Sequence, residues 1–260
     1  MRQGVHHQAA SVPGNAIFVM LASAAALLSA SACSSSEQAA QARAREASAA
    51  SERQASEWQE DFGLERRSLA DSGSNRYFVL EPGFQLVLAN DGERVTITVL
   101  DETEKVGDVT TRVVEEREEE DGELVEVSRN FFAICKDTGD VFYFGEDVDE
   151  YENGDVSGHP GSWRTGEKGA RAALVMPGSP RVGMRYYQEL ASERALDRAE
   201  VLSLGETLKT PAGTFQGCLK SRESTPLEPD EVEYKTYAPG IGLAQDEDLL
   251  LVRYGPVAGK

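Results

Sequence analysis

Apolar and polar positions change texture twice along the chain. Residues 16–28 are apolar without a break, a run of about thirteen residues where a membrane-spanning helix needs about 20. From Ser34 to Asn75 apolar residues are sparse until Trp58, Phe62 and Leu64, and Ala, Ser, Glu, Arg and Gln dominate. Such a stretch buries little apolar surface, although Ala-rich, charge-mixed sequence favours local helix. It reads as a partly helical tether, with Trp58, Phe62 and Leu69 at spacings that a helix turns toward one side. From Tyr77 the pattern becomes period two. Val95, Ile97 and Val99 alternate with Arg94, Thr96 and Thr98, and Phe131-Phe132 and Val141-Phe142-Tyr143-Phe144 follow. Such β-branched and aromatic runs mark strands.

Turn signals separate these runs. Asn90-Asp91-Gly92, Val106-Gly107-Asp108, Asp121-Gly122, Asp137-Thr138-Gly139-Asp140 and Asn153-Gly154-Asp155 come at short intervals. Asn-Gly and Asp-Gly supply the positive φ angles of tight hairpins, and two-residue turns join only antiparallel neighbours. The first half is therefore an antiparallel meander. In the second half, Tyr186-Tyr187 and residues 199–204, 215–222, 232–237 and 249–254 read as further strands, and composition alone suggests a short helix over 189–198. Roughly ten strands in one domain predict an all-β fold, a sandwich or a strongly curved sheet approaching a half-barrel. The expected organisation is a signal peptide at 1–32, a lipidated cysteine and tether at 33–75, and an all-β domain at 76–256.

The N-terminal run carries the address. Residues 1–15 are polar with one firm positive charge, Arg2, and the apolar run ends in Ser29-Ala30-Ser31-Ala32-Cys33. Length, flanks and small residues fit a signal peptide. The segment resembles a bacterial lipobox, with Ala30 where leucine is usual. That resemblance implies that Cys33 is acylated and becomes the first mature residue. Ser34-Ser35-Ser36 suits a flexible polar leader. Ser34, rather than aspartate, implies the outer membrane, facing the periplasm, as the expected location.

Charge excludes several partners. The chain has 45 acidic and 26 basic residues, a net charge of −19; losing 1–32 removes Arg2 and no acid, leaving about −20. Nucleic acid is excluded, because duplex binding needs Lys and Arg to replace counterions. The membrane is expected as a partner through the lipid anchor and not through charge.

Stretches of the β region also resemble an uncharacterised family of bacterial lipoproteins. They are Tyr77-Phe78-Val79-Leu80-Glu81-Pro82-Gly83, residues 141–148, Gly161-Ser162-Trp163, Met176-Pro177-Gly178, residues 225–229 and residues 237–243. The resemblance implies a lipid-anchored single β domain and supplies no catalytic residues. A wider likeness to curved-sheet periplasmic carriers is a fold-level analogy.

Candidate chemistry is thin. His159 is the one histidine after Cys33, too few for a His-rich metal site, and its His159-Pro160-Gly161 setting reads as a loop. There is no G-x-S-x-G elbow, no phosphate loop, and Gly240-Ile241-Gly242 lacks the third glycine of a dinucleotide fingerprint. The acidic run 146–155 fails the calcium-loop register, placing Tyr151 and Glu152 at positions 5 and 6 when counted from Asp147. No metal or cofactor is expected. Cys135 and Cys218 lack C-x-x-C spacing; an oxidising compartment permits a disulfide between them, and buried free thiols are the alternative. Trp163, Tyr186, Tyr187, Phe142 and Phe144 line either a groove or the core. The expected function is a non-enzymatic binding or structural module. The alternatives are a carrier of lipid or another apolar ligand in a curved-sheet cavity, and a carboxylate-dependent hydrolase. Val95, Ile97, Val99, Phe132 and Ile134 are the expected inward face, and a closed core is expected because soluble proteins seldom leave large apolar patches open.

The anchoring expectation has a direct test. Cys33→Ala releases the protein from membranes or stops its processing, as read by fractionation, because the anchor is acyl chain rather than helix. Normal cleavage with unchanged membrane retention contradicts it.

Overall fold

A computed structural model describes residues 57–257. The signal peptide, Cys33 and the first part of the tether lie outside the described residues. A 3-10 turn at Leu64–Arg66 precedes the strands: β1 (Leu69–Ala70), β2 (Gly73–Asn75), β3 (Phe78–Leu80), β4 (Phe84–Ala89), β5 (Glu93–Val106), β6 (Val109–Glu120), β7 (Glu123–Cys135), β8 (Val141–Glu152), β9 (Asp155–Gly158), β10 (Trp163–Arg164), β11 (Ala173–Met176), β12 (Arg185–Tyr187), β13 (Arg198–Thr210), β14 (Gly213–Ser224), β15 (Val232–Ala238), β16 (Gly242–Asp246) and β17 (Leu249–Pro256).

Fifteen of these strands form one antiparallel sheet, in the order β10-β8-β7-β6-β5-β4-β17-β16-β15-β14-β13-β12; β1, β9 and β11 pair at its margins with β7 or β8. β2 and β3 make a separate two-stranded ribbon. The chain is thus two meanders joined where β4 meets β17, its Leu88 opposite Leu251. The hairpins use the turns read from sequence: Asp121 (φ 49°) and Gly122 (φ 84°) link β6 to β7, and Asn153 (φ 53°) and Gly154 (φ 84°) link β8 to β9. Positive φ at both positions matches the strand twist.

The sheet bends into an open half-barrel. Bulges interrupt the ladders between Val99 and Thr103, between Asn130 and Phe132, and repeatedly along β13 and β14. A bulge kinks its strand and tightens the twist, so long strands curve around one face. Gly145 serves the same bend: at φ 131° a Cβ there would lie 2.3 Å from the Trp163 carbonyl oxygen, so β10 crosses β8 at a distance that only glycine permits.

The main apolar cluster is built around Phe131, Phe142, Val141, Leu174, Met176, Tyr186, Val201 and Leu219. A smaller cluster of Leu86, Leu88, Cys218, Ala238, Ala244 and Leu251 lies where the two meanders meet. Trp163, Phe142, Phe144 and Tyr186 are core residues, while Tyr187 packs against Trp58 with ring centroids 6.2 Å apart. Cys135 and Cys218 are both free and buried. They occupy different clusters, with six strands between β7 and β14 in the sheet, which is the packed-thiol arrangement of the two that the sequence leaves open. The short helix expected over residues 189–198 is absent. That segment is a tight loop, closed by a bridge between Ala191 and Ala195 and by Asp197 O, which accepts from the Gln188 and Glu189 amides.

Residues 57–75, read from sequence as the end of the tether, are seated on the sheet in extended form. Leu69 and Ala70 pair with Cys135 and Ile134, Gln59 bridges to Tyr186, and Phe62 is buried edge-on to Phe142 at 6.0 Å. Packing here overrides the helix preference of the composition. Phe62→Ala therefore costs about 3 kcal/mol, seen as a lowered urea midpoint. An unchanged midpoint would show that the segment contributes nothing to the fold.

Candidate functional site

Strand alternation decides what the concave face carries. On β6, Val114, Glu116 and Glu118 share one face; on β14, Leu219, Ser221 and Glu223; on β15, Glu233, Lys235 and Tyr237. Each strand runs from apolar to charged along the same face. The face holds a cavity of about 250 Å³. Its apolar wall includes Phe78, Phe84, Leu86, Ile97, Val99, Val114, Phe132 and Leu243, and its polar end includes Glu116, Gln188, Glu189, Asp197, Glu223, Lys235 and Asp246. The closed core expected from sequence is thus corrected: bending leaves part of the inner face unfilled. Of the expected inward residues, Ile97, Val99 and Phe132 line the cavity, whereas Ile134 is core.

Lys235 organises the polar end. Its Nζ lies 3.3 Å from Asp246, 3.5 Å from Glu233 and 3.6 Å from Glu223. Sheet register makes this possible, because Lys235 is opposite Ser221 on one side and Asp246 on the other. Burial opposes the lysine's charge, but Glu223 and Asp246 outweigh it and hold its pKa well above the usual value. Glu223 also accepts from the Tyr237 hydroxyl at 3.1 Å and from Ser221 Oγ at 3.0 Å.

The other acids are less well compensated. Burial, reinforced by Glu118, pushes the Glu116 carboxyl from 4.5 up to about 8. Burial, with Asp197 and Glu146 beside it, raises Glu189 well above its ordinary range. Asp197 and Asp246 are also raised, chiefly by burial. Nearby, the Tyr143 hydroxyl contacts both Asn130 Oδ1 and Glu146 Oε2, the latter at 2.8 Å. Asn130 Nδ2 in turn donates to Ser128 Oγ at 3.1 Å. Burial raises Glu146 to about 7, and the hydrogen bond that it accepts from Tyr143 works against that rise.

Gln188 is 7 % exposed and lines the cavity, and its side-chain amide, not among the buried atoms that lack a partner, opens onto that space. A second, polar pocket of about 310 Å³ adjoins the cavity, and Asp197 and Glu223 line both.

The residues singled out from sequence lie elsewhere. His159 is 67 % exposed, its Nδ1 2.8 Å from Asp149. The acidic run 146–155 is the β8–β9 hairpin. Among the described residues no group of three or more His, Cys, Asp or Glu is placed to hold a metal ion, and no helix is long and apolar enough to cross a membrane. No family model, curated protein or solved structure matches the chain.

The raised carboxyls set a pH dependence. Each binds its proton more tightly in the folded chain than in the unfolded one, so for Glu116 the folded state holds more protons between pH 4.5 and about 8. Stability falls as pH rises through that window. The melting temperature is higher near about pH 5 than near about pH 8, and Glu116→Gln flattens the difference. A melting temperature that climbs toward pH 8 contradicts this assignment.

Proposed function

We propose that the chain is a non-enzymatic, lipid-anchored envelope protein whose curved sheet binds a small ligand with an apolar body and a polar end. The observation that carries the reading is the cavity of about 250 Å³, walled by Phe, Leu, Ile and Val on one side and by paired polar groups on the other. Ligand sites have this character: mostly apolar, concave, with a few convergent polar groups. The volume lies just under the ~300–1,000 Å³ of drug-sized pockets, which suits a compact ligand or the end of a longer one. A purely structural module has no use for an unfilled apolar face, since filling it would strengthen the core. The lipobox resemblance at Cys33 supports attachment to the outer membrane from the periplasmic side, with the membrane a partner through the anchor alone.

A second reading, a carboxylate-dependent hydrolase, is favoured by one observation. Glu116, with its pKa near 8, shares the cavity with Glu223, and an acid and a carboxylate in one cleft are the parts of general acid catalysis. That reading predicts product formed from a bound glycoside and lost in Glu116→Gln. The binding reading predicts the ligand recovered unchanged.

Occupancy of the cavity is tested with a hydrophobic fluorescent probe. The native protein enhances its emission, and Leu243→Trp, which fills the cavity, abolishes the enhancement while the circular dichroism spectrum is kept. Equal enhancement by both proteins places the probe elsewhere and removes the cavity as the site.

A further inference from the structure

The polar end of the cavity is unbalanced in charge. Five acids line it, Glu116, Glu189, Asp197, Glu223 and Asp246, against one cation, Lys235. Lys235 is already committed to Glu223, Glu233 and Asp246. An anionic head group would meet a lysine already surrounded by carboxylates, and a fatty acid is therefore disfavoured here. A cation would meet Glu116, Glu189 and Asp197, which form no ion pair with Lys235.

The imbalance continues outward. The adjoining pocket shares Asp197 and Glu223 with the cavity and adds Glu228, Glu231 and Glu233, with Arg194 as its one base. Glu228 and Glu231 lie close enough for a hydrogen bond between their side chains, which raises Glu231. A cleft lined by one sign of charge concentrates the opposite ion, so the outer pocket forms an approach for a positively charged head.

Gln188 gives a second, independent indication. The residue is more than nine-tenths buried and lines the cavity, so its amide offers a carbonyl oxygen as acceptor there. An ammonium carries donors and no acceptor, so it complements that oxygen and the carboxylates together. Opposite lies the apolar wall of Phe84, Ile97, Phe132 and Leu243, able to cover a short hydrocarbon body.

Resting on the binding function proposed above, we infer that the ligand is an amphiphilic organic amine. Its ammonium group sits among Glu116, Glu189 and Gln188, and its apolar body lies along Ile97 and Phe132. Entering positive charge draws the proton off Glu116 and Glu189, whose burial penalty it offsets. The free cavity thus favours the neutral form of Glu116 and Glu189, and an entering cation favours their ionised form.

Calorimetry with three probes of equal length tests the inference on the purified full-length protein: n-hexylammonium, n-hexanol and hexanoate, each at pH 8. Hexylammonium binds about tenfold or more tighter than either of the others, as expected for hydrogen bonds to charged partners. Glu116→Gln and Glu189→Gln each weaken hexylammonium by about tenfold and leave hexanol unchanged. Hexanol or hexanoate binding as tightly as the amine overturns the amine assignment and leaves the apolar cavity as a binding site. Failure of all three to bind removes the binding function itself, and the inference with it.

Discussion

One lysine holds the polar half of the concavity together. Lys235 reaches carboxylates on β14, on β15 itself and on β16, all within 3.6 Å, and it is the one cation lining the cavity. Charges brought out of water cost several kcal/mol each unless paired, so Glu223 and Asp246 are tolerable in that place because Lys235 stands between them, while Glu233 stays exposed at the rim. The half-barrel shape follows from the same condition. Bending the sheet around a uniformly apolar face would close it into a core, whereas a face that turns acidic along each strand resists collapse and leaves a cleft.

The acids that form no ion pair with Lys235 are placed at a cost. For Glu116, Glu189 and Asp197 the charge of Lys235 offsets only part of the burial that drives each toward its neutral form. An apolar side chain at position 116 would continue the pattern of Val114 and stabilise the fold. Strain of this kind is typical of sites where function is favoured over stability. The network of Glu146, Tyr143 and Asn130 is by contrast satisfied within itself, and it reads as a structural support for β7 and β8.

Much of the fold is legible in the chain. Asp121-Gly122 and Asn153-Gly154 announce hairpins that the structure contains, and the alternation of Val95, Ile97 and Val99 identifies an inner face. The helix expected near residues 189–198 rested on composition, and tertiary contacts of Gln188 and Glu189 with Asp197 displaced it. Trp58 and Phe62 were readable as apolar residues in a polar stretch, but their docking depends on partners eighty or more residues away. The site was the least visible part. In a chain with 45 acids, Glu116 and Glu223 stand out only when the strand phase is known, since each falls on the side that its neighbours Val114 and Leu219 bury. Reading Val114-x-Glu116 and Leu219-x-Ser221-x-Glu223 as in-phase positions would have marked them. Gln188 and Asp197 lie on a loop, where no periodicity applies.

The central claim is that burial holds Glu116 toward its neutral form until a positive charge enters the cavity. Carbon-13 NMR of the carboxyl groups, titrated in the free protein and again with saturating n-hexylammonium, measures this directly. Glu116 is identified by the resonance missing from Glu116→Gln. The account predicts that this resonance titrates near pH 8 in the free protein and falls by more than about one unit when the amine is bound. A Glu116 carboxyl that titrates near 4.5 in the free protein, or that does not respond to the amine, contradicts it.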